Sequence, residues 1–302
     1  VPQPLPADQR RMSMPDTSPE QITLAFHIGA HKTATTHMQK TLQVNRKLLR
    51  DAGIVYYGPN YLRKPYQSPR HLFAVDDRYI DKRNWTGREK LEEMARGNAR
   101  VVVSEENFIG ALHRGSRTLD IPLYPKTVGY LSQLVENIAP HKLQIFLGVR
   151  DPAQFIMSAY SQKLFSGRPM SWQAYNRTVA PQDIDWSHLV RRITAIDGIS
   201  KVFVWRYEDY HDVLRLIWRR MLRWKLGPMI DPFQAPLHQG LSVKAVEIAL
   251  EWFEKTGDPK SAEQARETYP VSAEYPKFAP YDADALAASS AIYARDIDRI
   301  KA

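Results

Sequence analysis

Residues 26–37 read Phe26-His27-Ile28-Gly29-Ala30-His31-Lys32-Thr33-Ala34-Thr35-Thr36-His37, and this stretch predicts a strand followed by a turn and a helix. It begins as an apolar strand, passes through a turn of small residues and opens an amphipathic helix. The first backbone N–H groups of a helix have no partner within it, and the helix dipole makes that end partly positive. A lysine and several hydroxyl groups lie at the same point. The stretch therefore predicts a binding site for an anion such as a phosphate group.

Strand and helix patterns alternate along the rest of the chain. Short apolar runs predict strands at residues 22–28, 54–57, 100–104, 142–149 and 201–205. Helical spacing predicts helices at about 35–52, 88–96, 126–137, 152–165, 243–255 and 282–300. Alternation of this kind builds βαβ units, so we expect a three-layer α/β fold with a mostly parallel central sheet flanked by helices.

Three segments with reactive or charged side chains follow predicted strands, at residues 29–36, 104–107 and 150–158. In parallel α/β sheets, ligands bind beyond the carboxyl ends of the strands. We therefore expect the three segments to meet at one edge of the sheet.

Composition limits the chemistry that this chain can perform. Its 302 residues, 43% of them hydrophobic, suffice for one large domain at 21–302 after a proline-rich, flexible lead-in at 1–20. The chain has no cysteine, which excludes disulfides and thiolate chemistry and favours a cytoplasmic location. No apolar run approaches the roughly 20 residues that span a bilayer. A net charge of +9 favours anionic partners.

The turn at 29–36 differs from the phosphate loop of nucleoside-triphosphate enzymes. That motif has four residues between two glycines, followed by Lys and then Ser or Thr. Here Lys32 comes three residues after Gly29, and no Gly-Lys-Ser/Thr occurs. A shorter loop still holds one phosphate group, and because no acidic partner for Mg²⁺ is apparent we expect a reaction without a metal. The same residues also fit an ordinary strand-to-helix turn with a surface lysine.

A second candidate anion site follows the predicted strand at 142–149. Arg150 comes directly after that strand, and Ser158 lies eight residues later in a helix that Pro152 opens. A guanidinium and a hydroxyl that converge on one anion form a phosphate site. The alternative is a structural arginine that caps carbonyl groups and an exposed helical serine.

Together the two sites resemble those of the sulfotransferases that use 3′-phosphoadenosine-5′-phosphosulfate (PAPS). The 5′-phosphosulfate loop of that family looks like Lys-x-Gly-Thr-Thr after a strand, which is similar to Lys32-Thr33-Ala34-Thr35-Thr36. Its 3′-phosphate site is an Arg at a strand end and a Ser eight positions on, like Arg150 and Ser158. Further similarities are Asp151-Pro152, Tyr160 and Arg206-Tyr207-Glu208-Asp209, and the spelling His-Ile-Gly-x-His-Lys-Thr looks like bacterial members.

The resemblance implies a P-loop nucleotide-kinase-like sulfotransferase architecture, with PAPS as co-substrate and 3′-phosphoadenosine-5′-phosphate (PAP) as product. Under it, the expected donor contacts are His31, Lys32, Thr33, Ala34, Thr35, Thr36, Arg150 and Ser158. Lys32 would also neutralise charge on the leaving phosphate. Two positions depart from the family, because Ala34 replaces the usual glycine and His37 stands where many members have Trp. No glycine-rich adenine-side motif is found, so the adenine contacts stay open.

A candidate general base follows the predicted strand at 100–104. Carbohydrate-sulfating members of the family often use a glutamate at a strand end, and the Ser-x-Glu spelling here favours Glu106, with Glu105 as the second candidate. In an extended chain the two side chains would point to opposite faces, so only one would enter the site. We expect burial beside a bound anion to raise the pKa of the base. The alternative is that both are solvated loop acids.

The residues that would contact the acceptor substrate form no recognisable motif. A basic, irregular segment and its neighbours supply candidate substrate contacts at His71, Arg63, Arg70 and Arg114, with Lys64 nearby. These side chains would suit an anionic saccharide. No histidine pair has a spacing that requires a metal site, and no nucleic-acid-binding motif is recognisable.

The sequence thus predicts an enzyme that moves a sulfuryl group from PAPS to a hydroxyl of a small-molecule or carbohydrate acceptor by in-line displacement. One alternative is a P-loop kinase, which would need Mg²⁺ and ATP and would ignore a 3′-phosphate. The other is a non-enzymatic polyanion-binding protein, which would bind polyanions with a steep salt dependence and no discrete nucleotide site.

Overall fold

The computed structural model of the chain describes residues 21–75, 83–113, 118–234 and 240–302. The predicted lead-in at 1–20 and the candidate substrate contact Arg114 lie outside these ranges. The predicted single domain at 21–302 stays a prediction.

A sheet of five parallel strands forms the centre of the described structure. Its strands are β1 (Thr23–His27), β2 (Ile54–Tyr57), β3 (Arg100–Ser104), β4 (Lys142–Val149) and β5 (Ile199–Arg206). Their order across the sheet is β2-β3-β1-β4-β5, and all four neighbouring pairs are parallel. The α/β class with a central parallel sheet is therefore confirmed, and each predicted strand is present.

Helices connect the strands and cover both faces of the sheet. They are α1 (Thr35–Val44), α2 (Arg46–Asp51), α3 (Pro59–Leu62), α4 (Pro69–Leu72), α5 (Gly87–Ala95), α6 (Thr127–Ile138), α7 (Pro152–Leu164), α8 (Trp172–Asn176), α9 (Trp186–Thr194), α10 (Tyr210–Leu222), α11 (Val243–Thr256), α12 (Ser261–Thr268) and α13 (Ala283–Lys301). In the described parts of the chain, none of them has the length and apolar character needed to cross a membrane.

The helix predicted over 35–52 is interrupted at Asn45. The Asn45 side-chain amide donates to the carbonyl of Thr41 in the same helix and to the carbonyl of Asp231 in a distant segment. Because this side chain makes contacts outside the helix, the chain turns there and continues as α2. A distant partner of this kind is not visible in local helical spacing.

Alternating side chains of the strands form two cores on opposite faces of the sheet. On one face Leu24 and Phe26 of β1 pack with Val101 and Val103 of β3, beneath α5, α6, α7 and α9. On the other face Ala25, Val102 and Phe146 pack with residues of α1, α2 and α10. Both faces of each central strand are buried, which explains why these strands read as continuous apolar runs.

The position of β1 between β3 and β4 creates the cleft that holds the site. The chain leaves β1 towards α1 and β2 on one side of the sheet, whereas β4 and β5 lie on the other side. The order of strands therefore changes direction at the carboxyl end of β1, the place where ligands bind in open α/β sheets.

Candidate functional site

The turn between β1 and α1 is held against the neighbouring strand β4. The backbone N–H of Ile28 donates to the carbonyl of Phe146 at 3.1 Å, and that of Ala30 donates to the carbonyl of Gly148 at 3.1 Å. A Cβ on Gly148 would lie 2.8 Å from the Thr33 hydroxyl oxygen, so only glycine lets the turn approach this closely. The Thr33 hydroxyl itself donates to the carbonyl of Ala30 at 2.6 Å, which closes the turn.

The start of α1 leaves backbone donors available. Ala34 is the N-cap residue, and no side chain caps the helix there. The amides of Thr35, Thr36 and His37 have no acceptor within the helix, as at every helix start. The first turn carries no acidic side chain that would compete with an incoming anion. The turn and helix start thus have the open amides on which the predicted anion site depends.

Two residues of the turn adopt the left-handed conformation. Lys32 has a φ of 64° and Ala34 a φ of 66°. A left-handed φ is the conformation that favours glycine, the residue that the resemblance noted above would lead one to expect at position 34. Ala34 therefore adopts a backbone conformation that suits glycine, and this costs conformational strain.

Lys32 and Arg150 place two positive charges beside the turn. A guanidinium nitrogen of Arg150, Nη1, donates to the carbonyl of Lys32 at 3.0 Å, and the guanidinium stacks on the ring of Tyr207 at 4.3 Å. Burial and then the charge of Arg150 lower the pKa of Lys32. Burial also lowers the pKa of Arg150 despite nearby acidic groups. Both shifts thus reflect mainly the burial of the two cations.

A cavity of about 440 Å³ joins the two predicted anion sites. Lys32, Arg150 and Ser158 all line it, although they come from the turn, the end of β4 and the second turn of α7. Arg150 Nε is buried and has no hydrogen-bond acceptor among the described residues. A buried donor in this condition suits an anionic ligand, since leaving it unpaired is costly.

The same cavity contains residues that the sequence analysis missed. Three of them could have been predicted from Ser158, because they lie three or four residues from it on the same face of α7: Gln154, Ser161 and Gln162. Arg266 of α12 and Lys277 add two more cations. Lys277 is brought there by a β-bridge to Ser242. No local motif marks these two cations, so only the tertiary structure reveals them.

Glu105 and Glu106 converge on one arginine. Arg63 donates to both carboxylate oxygens of Glu105, at 2.9 and 3.0 Å, and to Glu106 Oε1 at 2.9 Å. The expectation that the two acids point to opposite faces is wrong, because the extended chain ends at Glu105. A short 3₁₀ turn, Glu106–Phe108, begins at the next residue and directs both side chains towards Arg63.

The two acids nevertheless have different surroundings. Glu105 also accepts hydrogen bonds from the backbone and side-chain nitrogens of Asn107, so its carboxylate is fully engaged in structural contacts. Glu106 accepts from Gln39 Nε2 at 2.9 Å, and α1 thereby connects it to the anion site. Its Cβ would lie 2.9 Å from a Cβ placed on Gly29, so Glu106 is also packed against the turn.

The pKa of Glu106 shifts in the direction opposite to the expectation. Burial raises this pKa, but a hydrogen bond from its own backbone amide, the proximity of His31 and Arg63, and the hydrogen bond from Gln39 outweigh burial and lower it. The expected increase is therefore wrong for this environment. Glu106 is ionised at neutral pH and can accept a proton without first losing one.

The structure places the side chain of His31 away from the 440 Å³ cavity. Its Nδ1 lies 3.0 Å from the hydroxyl of Tyr124, and its Nε2 lies 3.3 Å from Asn107 Oδ1. Burial lowers the pKa of His31, so the ring is neutral near pH 7. His31 and the hydroxyl of Thr33 are thus engaged within the protein, and the donor contacts predicted for their side chains are not supported by this geometry.

A second cavity, of about 600 Å³, adjoins the two acids. Its lining includes Arg63, Arg70, His71 and Glu105, so three of the four candidate substrate contacts lie together. Arg70 Nη1 donates to the hydroxyl of Tyr130, and the rings of Tyr66 and His71 lie 5.6 Å apart. The cavity therefore has aromatic and cationic walls and one lining carboxylate, that of Glu105; Glu106 is joined to this lining through its bond to Arg63.

Comparison with known proteins gives distant structural similarities. No family model matches the chain, and no curated protein matches it. A sulfotransferase from Alicyclobacillus acidocaldarius is similar over 92% of this chain and 93% of its own, with 14% identity and a TM-score of 0.43. A sulfotransferase domain from the curacin biosynthetic pathway is similar over 91% of this chain and 96% of its own, with 13% identity and a TM-score of 0.36.

A third similar structure is retinol dehydratase in complex with androsterone and the inactive cofactor PAP. It matches 93% of this chain and 82% of its own, with 13% identity and a TM-score of 0.34. Similarities at this distance do not assign a family, so a function has to be argued from the site itself.

Replacing Ala34 with glycine tests the strained turn. A left-handed alanine costs about 1–2 kcal/mol, and glycine loses about 0.5–1 kcal/mol through unfolded-state entropy, so Ala34→Gly should leave the free energy of unfolding unchanged or raise it by up to about 1.5 kcal/mol. The control is Ala288→Gly on the exposed face of α13, which should lower the free energy of unfolding by about 1 kcal/mol. Urea unfolding measures this free energy for both variants. Equal losses in the two variants would contradict the left-handed conformation of Ala34.

Proposed function

We propose that this protein is a sulfotransferase that moves a sulfuryl group from PAPS to a hydroxyl of a small-molecule or carbohydrate acceptor. One observation carries the proposal. Lys32 comes from the first predicted phosphate-binding segment, Arg150 and Ser158 come from the second, and all three line a single cavity at the carboxyl edge of the sheet. A donor with phosphate groups at both ends needs two such sites in one cavity.

The donor would be bound at two points. The open amides at the start of α1, with Lys32, Thr35 and Thr36, would hold the 5′-phosphosulfate group. Arg150, through its unpaired buried Nε, and Ser158 would hold the 3′-phosphate. These cations are fixed before the ligand arrives, and such preorganised charge is an effective way to stabilise anions.

Arg266 and Lys277 line the same cavity and would complete its positive charge. The ring of Phe165 lies 5.0 Å from the Arg266 guanidinium and supplies an apolar surface beside it. We place the nucleoside of the donor in this part of the cavity, where the sequence analysis left its contacts open.

The transfer itself would be an in-line displacement. The acceptor oxygen forms a bond to sulfur while the bond between sulfur and the 5′-phosphate oxygen breaks, which leaves PAP and a sulfate ester. Glu106 takes the hydroxyl proton, and Lys32 neutralises the charge that develops on the leaving phosphate. Glu106 suits this role because it is ionised at neutral pH and its carboxylate is held by Gln39 and Arg63.

The acceptor would enter from the second cavity. Arg63, Arg70 and His71 line that cavity, and Lys64 lies among them. Cationic and aromatic walls suit an anionic saccharide or a similar hydroxylated molecule. Arg114, the fourth predicted contact, lies outside the described residues.

Calorimetry with three nucleotides tests the donor site. PAP should bind more tightly than adenosine 5′-phosphate by roughly 10- to 100-fold, because a buried charge-assisted contact to the 3′-phosphate is worth about 1.5–3 kcal/mol. Ser158→Ala should reduce this preference and leave adenosine 5′-phosphate binding unchanged. Equal affinity for both nucleotides would contradict the role of Arg150 and Ser158. Tighter, Mg²⁺-dependent binding of ATP would favour a kinase.

Substitution of the two acids tests the base. Glu106→Gln should lower kcat by roughly 100- to 10,000-fold, the usual contribution of a general base, with PAP affinity nearly intact. Glu105→Gln is the matched control, since it removes a charge beside Arg63 and keeps the carboxylate that contacts Gln39. Loss of transfer in Glu105→Gln with normal activity in Glu106→Gln would move the assignment to Glu105.

The contact from Gln39 predicts a shift in the pH profile. Gln39→Met removes a hydrogen bond that helps keep the pKa of Glu106 low. The base must be ionised to act, so the fall in kcat/KM on the acid side should move to higher pH. Gln43→Met, at an exposed position one turn later on α1, should leave the profile unchanged. An unshifted acid limb in Gln39→Met would show that Glu106 does not control the rate.

A further inference from the structure

The segment at 213–230 carries a concentration of positive charge that the proposed reaction does not use. It contains Arg215, Arg219, Arg220, Arg223 and Lys225 and no acidic residue. The segment covers most of α10, the 3₁₀ turn Gly227–Met229 and the residues between them. In the described part of the chain, no ion pair joins any of these five cations to a carboxylate.

The outer face of this segment also exposes large apolar side chains. Leu216, Trp224 and Met229 are 47%, 58% and 59% exposed. The inner face of α10 is already packed against the sheet through residues such as Leu214 and Trp218, so these exposed side chains are not part of the core. Trp224 lies next to Arg219 and Arg220, and Leu216 lines a cavity with Val204 and Ile297. We call the region from Arg215 to Met229 the basic–aromatic surface.

Direct contacts join the charged and aromatic parts of the basic–aromatic surface. The guanidinium of Arg219 lies 4.5 Å from the centre of the Trp224 ring, and that of Arg220 lies 6.0 Å from it. A further cation lies behind them, because Arg100 donates from Nε to the carbonyl of Met221. Burial and, to a smaller extent, the nearby charge of Arg223 lower the pKa of Arg100 to about 10.

We propose that the basic–aromatic surface docks on an anionic lipid bilayer. Clusters of four to eight Lys and Arg residues bind anionic lipid headgroups, and Trp side chains prefer the boundary between headgroups and acyl chains. Five cations beside exposed Trp, Leu and Met side chains combine both properties. A nucleic acid or a soluble polyanion would match the charges but would leave the exposed Trp224 and Met229 without an apolar environment.

The position of the surface fixes the orientation of the docked protein. Arg100 is the first residue of β3, and it donates to the carbonyls of Arg220 and Met221. The basic–aromatic surface therefore lies towards the edge of the sheet where parallel strands begin, opposite the edge that carries the turn at Lys32. A docked molecule would direct its two cavities away from the bilayer. Docking and donor binding are then independent of each other.

Co-sedimentation with lipid vesicles tests the proposal. The protein should bind vesicles of mixed phosphatidylcholine and phosphatidylglycerol, bind pure phosphatidylcholine vesicles much more weakly, and dissociate as salt is raised. The triple variant Arg219→Gln/Arg220→Gln/Arg223→Gln should bind the mixed vesicles roughly 100-fold more weakly. Its PAP affinity should equal that of the unchanged protein, because none of the three residues lines the donor cavity.

Two further variants make the test specific. Arg88→Gln/Lys244→Gln/Lys255→Gln removes the same charge from exposed positions on α5 and α11, and should keep vesicle binding. Trp224→Ala should weaken binding to mixed vesicles and should abolish quenching of tryptophan fluorescence by brominated lipid. Equal losses in the two triple variants would overturn the proposal, as would unchanged binding in Trp224→Ala. Binding to heparin or duplex DNA without vesicle binding would assign the surface to a polyanion instead.

Discussion

Two backbone hydrogen bonds, from Ile28 to Phe146 and from Ala30 to Gly148, hold the end of β1 against β4 and determine the shape of the anion site. They are possible because Gly148 has no side chain at the point where Thr33 approaches. With the turn fixed in this way, α1 begins with its amides open to the cleft. The same contact brings Arg150, at the end of β4, within hydrogen-bonding distance of the carbonyl of Lys32.

The charges around the turn are arranged in two opposed groups. Lys32 and Arg150 lie together on the side of β4, and burial lowers the pKa of each. Glu106 lies on the side of β3, where Arg63 and Gln39 hold it as a carboxylate. Under the proposed function, the cations beside β4 would bind the anionic donor and the carboxylate beside β3 would accept the proton. The protein pays for this separation in desolvation, which is the usual cost of a preorganised polar site.

Two groups of cations lie at different places in the described structure. One group lines the two cavities at the carboxyl edge of the sheet. The other group covers α10 and the turn after it, where the cations are accompanied by exposed apolar side chains. Enclosure suits a small anionic ligand, whereas an open surface suits an extended one.

The sequence by itself determined the alternation of strands and helices, the strand–turn–helix at 26–37, and the spacing of Arg150 and Ser158, because each of these follows from residues close together in the chain. The environment of Glu106 depends on tertiary contacts, since Gln39 and Arg63 reach it from other elements and help to reverse the expected direction of its pKa shift. Tertiary contacts also turn the side chain of His31 towards Tyr124 and bring Arg266 and Lys277 to the 440 Å³ cavity. Electrostatics and packing depend on every group within a few ångströms, and most of those groups are distant in sequence.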